Sequence, residues 1–201
     1  MKDWTGNKKT TFVQLGASNH SDKDREENDF YATDPNALEL FLEKISQDGI
    51  LLHPNIWECA CGMGHLSEVL KKHEYHVIST DLVDRGYGDK FIDFLKVDGD
   101  NKRWDILTNP PYKFAKEFVE HSLDIQADGY YTIMFLKIQF LEGQGRRELF
   151  EKYPPKYVYV NSARQTCYIS GDMSKKMSSA SCYCWFVWEK GFKGEPLIRW
   201  I

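Results

Sequence analysis

Three short strings in this 201-residue chain carry residue types that could do chemistry, and each follows an apolar run. The most specific is Asn109-Pro110-Pro111-Tyr112, directly after Trp104-Asp105-Ile106-Leu107-Thr108. Two successive prolines fix the backbone and remove two donors. The residue before a proline is pushed to an extended shape. The string therefore presents the Asn109 side chain and the Pro110 carbonyl as rigid acceptors, with the Tyr112 ring beside them. Asn-Pro alone is common in turns; the full string after a buried-type strand is specific. The second string is Glu58-Cys59-Ala60-Cys61-Gly62-Met63-Gly64, after Ile56-Trp57. Its glycines allow close approach of backbone to a ligand. It lacks both the third glycine of a dinucleotide fingerprint and the Gly-Lys-Ser/Thr ending of a phosphate loop. The third signal is Asp81, closing the run His76-Val77-Ile78-Ser79-Thr80. An acid at that point can accept hydrogen bonds from both hydroxyls of a ribose. Alone it would read as a turn aspartate; the glycine turn upstream makes the ribose reading the better one.

The elements that must position these strings alternate between strand and helix. Asp34-Pro35 opens a helix, since aspartate is a good N-cap and proline suits the first helical position. Ala37, Leu38, Phe41, Leu42 and Ile45 follow at helical spacing. A strand ends at Glu58, and Leu66, Val69 and Leu70 mark a helix. A strand ends at Asp81, and Phe91 to Leu95 is a short segment of open type. A strand then ends at Asn109, with a helix defined by Phe114, Phe118, Ser122 and Ile125 after it. Tyr130 to Leu136 is an apolar strand, and the helical run Arg146 to Lys152 stops at Pro154-Pro155. Tyr157 to Val160, Cys182 to Trp188 and Leu197 to Ile201 read as strands. This pattern predicts an α/β fold: a doubly wound, mostly parallel sheet with helices on both faces and an antiparallel C-terminal edge. In such sheets ligands bind outside the carboxyl ends of the strands, which is where all three strings fall.

Composition bounds the rest. Hydrophobic residues make up 42% and charged residues 28%, which is globular. No run approaches a membrane-spanning length, and no apolar stretch follows the amino terminus as in a secretory signal, so a cytoplasmic protein without a membrane partner is expected. Residues 1–29 are polar and read as a solvated arm, with 30–201 as the catalytic-type domain. The formal net charge of −4 does not suggest bulk attraction to nucleic acid. The charge is uneven, however: residues 1–112 carry net −7 and residues 113–201 net +3. A polyanionic partner would meet the second half. Within it, residues 161–181 form a polar loop whose Arg164, Lys175 and Lys176 could contact phosphates, or simply face solvent. The five cysteines form two Cys-x-Cys pairs plus Cys167. That spacing is not the Cys-x2–4-Cys of structural zinc, so no metal is expected, and Cys182 and Cys184 read as core residues on one face of a strand.

The order of glycine turn, acidic strand end and Asn-Pro-Pro-Tyr resembles the class I S-adenosylmethionine-dependent methyltransferases. Within them it is similar to those that modify adenine N6 in DNA, of the phage or mobile-element kind. The likeness covers most of residues 30–190, and it implies a Rossmann-like sheet of seven strands. It also implies S-adenosyl-L-methionine as cofactor. Glu58, Ala60, Cys61, Gly62 and Gly64 match the first motif, with Cys59 where a proline is frequent. Asp81 and Leu82 would take the ribose side, and Asp93-Phe94 resembles the acid that bonds the cofactor's adenine. Phe30-Tyr31-Ala32-Thr33-Asp34-Pro35 resembles the segment that lines the methionine end, through Tyr31 and Thr33. Within these 201 residues the large extra target-recognition domain of restriction-type enzymes is not expected.

The resemblance implies a role for each residue of the last motif. An exocyclic amino nitrogen is a poor nucleophile because its lone pair is delocalised into the ring. Asn109 and the Pro110 carbonyl would accept its two N–H hydrogens and free that lone pair for attack on a methyl group. Catalysis would then be orientation and electrostatics. Pro111 and Tyr112 would contact the base, with Tyr112 stacked on an extruded adenine. Phe140, Tyr168 and Trp185 are the candidates for its other face. Cytosine C5 chemistry needs a Pro-Cys nucleophile, which this chain lacks. Methylation of an RNA base or of a protein glutamine amide stays open, because an amide nitrogen poses the same problem. A non-catalytic, cofactor-binding regulatory protein also stays open, although the intact Asn109 to Tyr112 string argues against it.

Overall fold

Asp34 starts the first helix as its residue type requires. In the computed structural model, which describes residues 31–163, 167–169 and 182–201, its carboxylate accepts the Asn36 N–H at 3.0 Å. Strand β1 (Tyr31–Thr33) precedes helix α1 (Pro35–Gln47), which buries Ala37, Leu38, Phe41, Leu42 and Ile45. The expected alternation follows: β2 (Asn55–Glu58), α2 (His65–Lys72), β3 (His76–Asp81), β4 (Lys90–Phe91), β5 (Asp105–Thr108), α3 (Ala115–Ile125), β6 (Tyr131–Lys137) and α4 (Arg147–Lys152). The chain ends in β7 (Tyr157–Val160), β8 (Cys167–Ile169), β9 (Tyr183–Glu189) and β10 (Leu197–Trp200). The segment of open type resolves into β4 and a 3-10 turn over Phe94–Lys96. No helix among the described residues is long and apolar enough to cross a membrane. The polar arm at 1–29 and the side chains of Arg164, Lys175 and Lys176 lie outside the described residues.

Eight strands form one sheet in the order β10-β7-β9-β6-β5-β2-β3-β4. The run β4-β3-β2-β5-β6 is parallel throughout. Strand β9 runs antiparallel to both of its neighbours, β6 and β7. The fold class is the one expected, with two refinements. The antiparallel strand sits between β6 and β7, and the outermost strand, β10, adds an eighth member parallel to β7. A separate ribbon joins β1 to β8, with Thr33 opposite Cys167. Three residues per strand are too few for a periodic signal, so the sequence reads Cys167–Ile169 as part of the 161–181 loop and gives Tyr31–Thr33 no element.

Alternation along the strands divides the core into two layers. Ile56, Leu107, Ile133, Phe135, Trp185 and Val187 face α1 and α2. Trp57, Ile106, Met134, Leu136, Cys184, Phe186 and Trp188 face α3 and α4. Cys182 packs against the second layer, in line with the core reading of that cysteine pair. At the end of the sheet opposite the strand carboxyl termini, fully buried Asp105 accepts the backbone N–H groups of His53 and Tyr131 at 2.7 and 2.8 Å.

Two side chains expected to contact substrate belong to these layers instead. Trp185 is fully buried, stacks on Phe41 with ring centroids 4.8 Å apart, and donates its indole N–H to the Ala37 carbonyl. Phe140 is buried edge-on against Phe150 and Phe186. The cause is the direction of β9. Being antiparallel, it begins at the carboxyl ends of the parallel strands, so its first residue, Tyr183, reaches that end while Trp185 lies one pleat deeper on the same face. Trp185→Ala should therefore lower stability by about 3–5 kcal/mol, read as a shift of the urea midpoint. A change of roughly 0.5 kcal/mol or less, the range of surface substitutions, would contradict the core role.

Candidate functional site

The winding of the chain reverses about β2, which pairs with β3 on one side and β5 on the other. Loops leaving neighbouring strands there turn to opposite faces of the sheet, which opens a crevice at the strand carboxyl ends. A cleft of about 930 Å³ lies at that point. Its volume is in the range of pockets that enclose a drug-sized ligand, roughly 300–1,000 Å³. Of the residues singled out from sequence, Thr33, Glu58, Ala60, Cys61, Asp81, Leu82, Asp93, Phe94 and Asn109 through Tyr112 line it.

The glycine turn is held from below by the next strand. The Cys61 N–H bonds the Thr80 carbonyl at 2.9 Å, and the Gly62 N–H donates to Asp81 Oδ2 at 2.7 Å. Gly62 and Gly64 both have positive φ, +54° and +82°, which glycine adopts without steric cost. A side chain at 64 would also collide with the Tyr87 ring, 2.4 Å from the position of its Cβ. Gly62 and Gly64 thus shape the cleft rather than line it, and what approaches Gly64 closely is Tyr87. The Asp81 carboxylate further accepts the Val83 N–H and the Arg85 guanidinium, both at 2.9 Å on Oδ1. Asp93 caps the 3-10 turn by accepting the Leu95 N–H, and Leu82, Ile92 and Phe94 supply apolar lining.

Glu58 sits on the cleft floor, almost fully buried, and accepts a hydrogen bond from the Ser67 hydroxyl, which shares a second with Ser79. Burial pushes its carboxyl up to about 8, and the negative charge of Asp81 adds to the effect. At neutral pH the floor of the cleft is therefore neutral.

On the other side of the cleft, the Asn109 amide nitrogen donates to Thr33 Oγ1 at 2.9 Å. The Asn109 amide oxygen is buried, as is Pro110. Among the described residues, Tyr112 packs near the Tyr183 ring, 6.2 Å between centroids, and the Lys137 ammonium lies 5.4 Å from its ring centre. Lys113 and Lys137 both line this half. Sequence reading missed Arg85, Lys137 and Tyr183. Lys137 and Tyr183 are opposite one another in the β6–β9 register, so an antiparallel pairing of those two strands would have exposed them. The backbone of Tyr168 pairs with Ala32 across the ribbon; its side chain, like that of Tyr31, lies outside the described residues.

No protein-family model and no curated protein sequence matches the chain. Solved structures do. A candidate RNA methyltransferase from Pyrococcus horikoshii superposes with a TM-score of 0.59 at 17% identity, over 96% of this chain and 100% of the other. A candidate class I S-adenosylmethionine-dependent methyltransferase from Listeria monocytogenes gives 0.58 at 13%, over 96% and 71%. Magnesium protoporphyrin IX methyltransferase from Synechocystis, crystallised with bound S-adenosylmethionine, gives 0.51 at 13%, over 78% and 79%. At such identities the likeness is one of fold: this chain has the Rossmann-like fold of class I methyltransferases.

The Glu58 environment makes stability depend on pH. An unfolded carboxyl titrates near 4.5 and this one near 8, so the folded state holds a proton that the unfolded state has released. The stability it lends is complete below 4.5 and lost as pH rises through about 8. Wild-type protein should lose stability across that interval, and Glu58→Gln should lose less, measured by urea unfolding at a series of pH values. Parallel profiles for the two proteins would contradict a neutral Glu58.

Proposed function

We propose that this chain transfers a methyl group from S-adenosyl-L-methionine to the exocyclic N6 nitrogen of adenine in DNA. The observation that carries the reading is the Asn109 amide, anchored through its nitrogen by Thr33, at the rim of a cleft whose two halves differ in chemistry. One half has a buried carboxylate, Asp81, above a neutral floor, flanked by Leu82, Ile92 and Phe94. These suit a nucleoside: hydroxyls to the acid and a flat ring to the apolar lining. The other half has two lysines and two tyrosines, which suit a base attached to phosphates.

The cofactor supplies a methyl group activated on a sulfonium centre. The chain's own residues orient the acceptor. Asn109 Oδ1 and the Pro110 carbonyl would accept hydrogen bonds from the two N–H groups of the amino nitrogen, drawing it toward tetrahedral geometry and localising its lone pair. Once the methyl group is bonded to nitrogen, one of these two protons is released to solvent. The dipoles are fixed beforehand, by two prolines on the backbone side and by Thr33 on the side-chain side, so little reorganisation is needed as charge develops. Tyr112 offers a ring face to the base, and Lys113 and Lys137 supply positive charge to the flanking backbone. The bias of positive charge toward the second half of the chain is consistent with a polyanion arriving from that side.

Asn109→Ala should lower the single-turnover rate by about 100-fold or more, the scale of losing one aimed dipole from a preorganised site. Cofactor affinity by calorimetry should stay near wild type, because the lost acceptor faces the amino nitrogen in the transition state. A rate close to wild type would overturn the assignment of Asn109.

A further inference from the structure

We infer that Arg85 competes with the ribose of the cofactor for the Asp81 carboxylate and thereby sets cofactor affinity; this rests on the reading of Asp81 as the ribose acceptor. A carboxylate offers about four acceptor positions, two on each oxygen. Three are taken by donors among the described residues. Gly62 N–H bonds Oδ2 at 2.7 Å, and Val83 N–H and the Arg85 guanidinium bond Oδ1 at 2.9 Å each. The two backbone bonds hold the glycine turn and the Asp81 loop in shape. Neither can be given up without rebuilding the cleft.

A vicinal diol that donates both of its hydroxyls needs two acceptor positions, and only one remains beside Gly62. The second hydroxyl can be accommodated at Oδ1 if Arg85 leaves. Arg85 is able to leave in a way that the backbone donors are not. It lines the cleft, its side chain is 17% exposed, and it reaches Asp81 from four residues on. The chain after it passes through Gly86, whose surroundings are open. Full engagement of a ribose therefore exchanges a charge-assisted bond for a neutral one, and charge-assisted bonds are the stronger. Binding is correspondingly weaker than an unopposed carboxylate would give.

The test is calorimetry of S-adenosylhomocysteine, and of its analogue lacking one ribose hydroxyl, against wild type, Arg85→Met and Asp81→Ala. Arg85→Met should bind the parent ligand about tenfold more tightly, the size of one partly exposed charged hydrogen bond. The deoxy analogue should gain much less, because its remaining hydroxyl already has an acceptor position in wild type. A merely structural role for Arg85 would move both ligands alike. Arg85→Gln serves if the methionine variant does not fold, and should also bind the parent more tightly. Equal or weaker binding of the parent by the folded variants, or an equal gain for both ligands, would overturn the competition. The reading beneath it fails separately, if wild type binds neither ligand or if Asp81→Ala leaves affinity unchanged.

Discussion

The Asp81 carboxylate holds the cleft together. It is buried at the end of β3, yet its bonds reach across to the Gly62 N–H in the turn after β2 and back to the Val83 N–H in its own loop. An unpaired buried carboxylate would be costly, so the neighbouring backbone is arranged around it. Gly62 takes a positive φ while turning its N–H toward Oδ2. Glu58, on the adjacent strand, is kept neutral by its burial, with the nearby negative charge adding to it. One carboxylate thus accounts for the shape of the glycine turn and the capture of Arg85, and adds to the burial that keeps the floor protonated.

On the other side of the cleft a side-chain contact of comparable consequence ties Asn109 to Thr33. Thr33 stands on the ribbon of β1 and β8, outside the main sheet. That ribbon carries a segment from before the first helix to the end of β5, where the fold has no strand of its own to offer. The amide orientation therefore depends on a part of the chain remote in sequence from the Asn-Pro-Pro-Tyr string. Lys137 and Tyr183 arrive by another route, from paired positions at the open end of the β6–β9 ladder.

Strand ends were legible because each string follows an apolar run that only a buried strand accommodates. The three signals at Glu58, Asp81 and Asn109 consequently fall in one cleft, as the parallel-sheet rule requires. The start of helix α1 was legible to the residue, because Asp34, Pro35 and five periodic apolar side chains agree. What was not legible depends on pairing. The sequence of β9 is apolar on both faces, so nothing in it separates Tyr183, at the cleft, from Trp185, in the core. The hydrogen bonds of Asp81 to Gly62 and of Asn109 to Thr33 span loops whose approach is set by the whole sheet. Arg85 carries no signal at all in sequence, since an arginine after an aspartate loop is an ordinary surface residue until its partner is known.

The most direct test is nucleoside mass spectrometry after incubating the protein with methyl-labelled S-adenosylmethionine and, separately, DNA, RNA and protein. The account predicts label in N6-methyldeoxyadenosine from the DNA digest. Label confined to RNA or to protein, or found on cytosine C5, would contradict it.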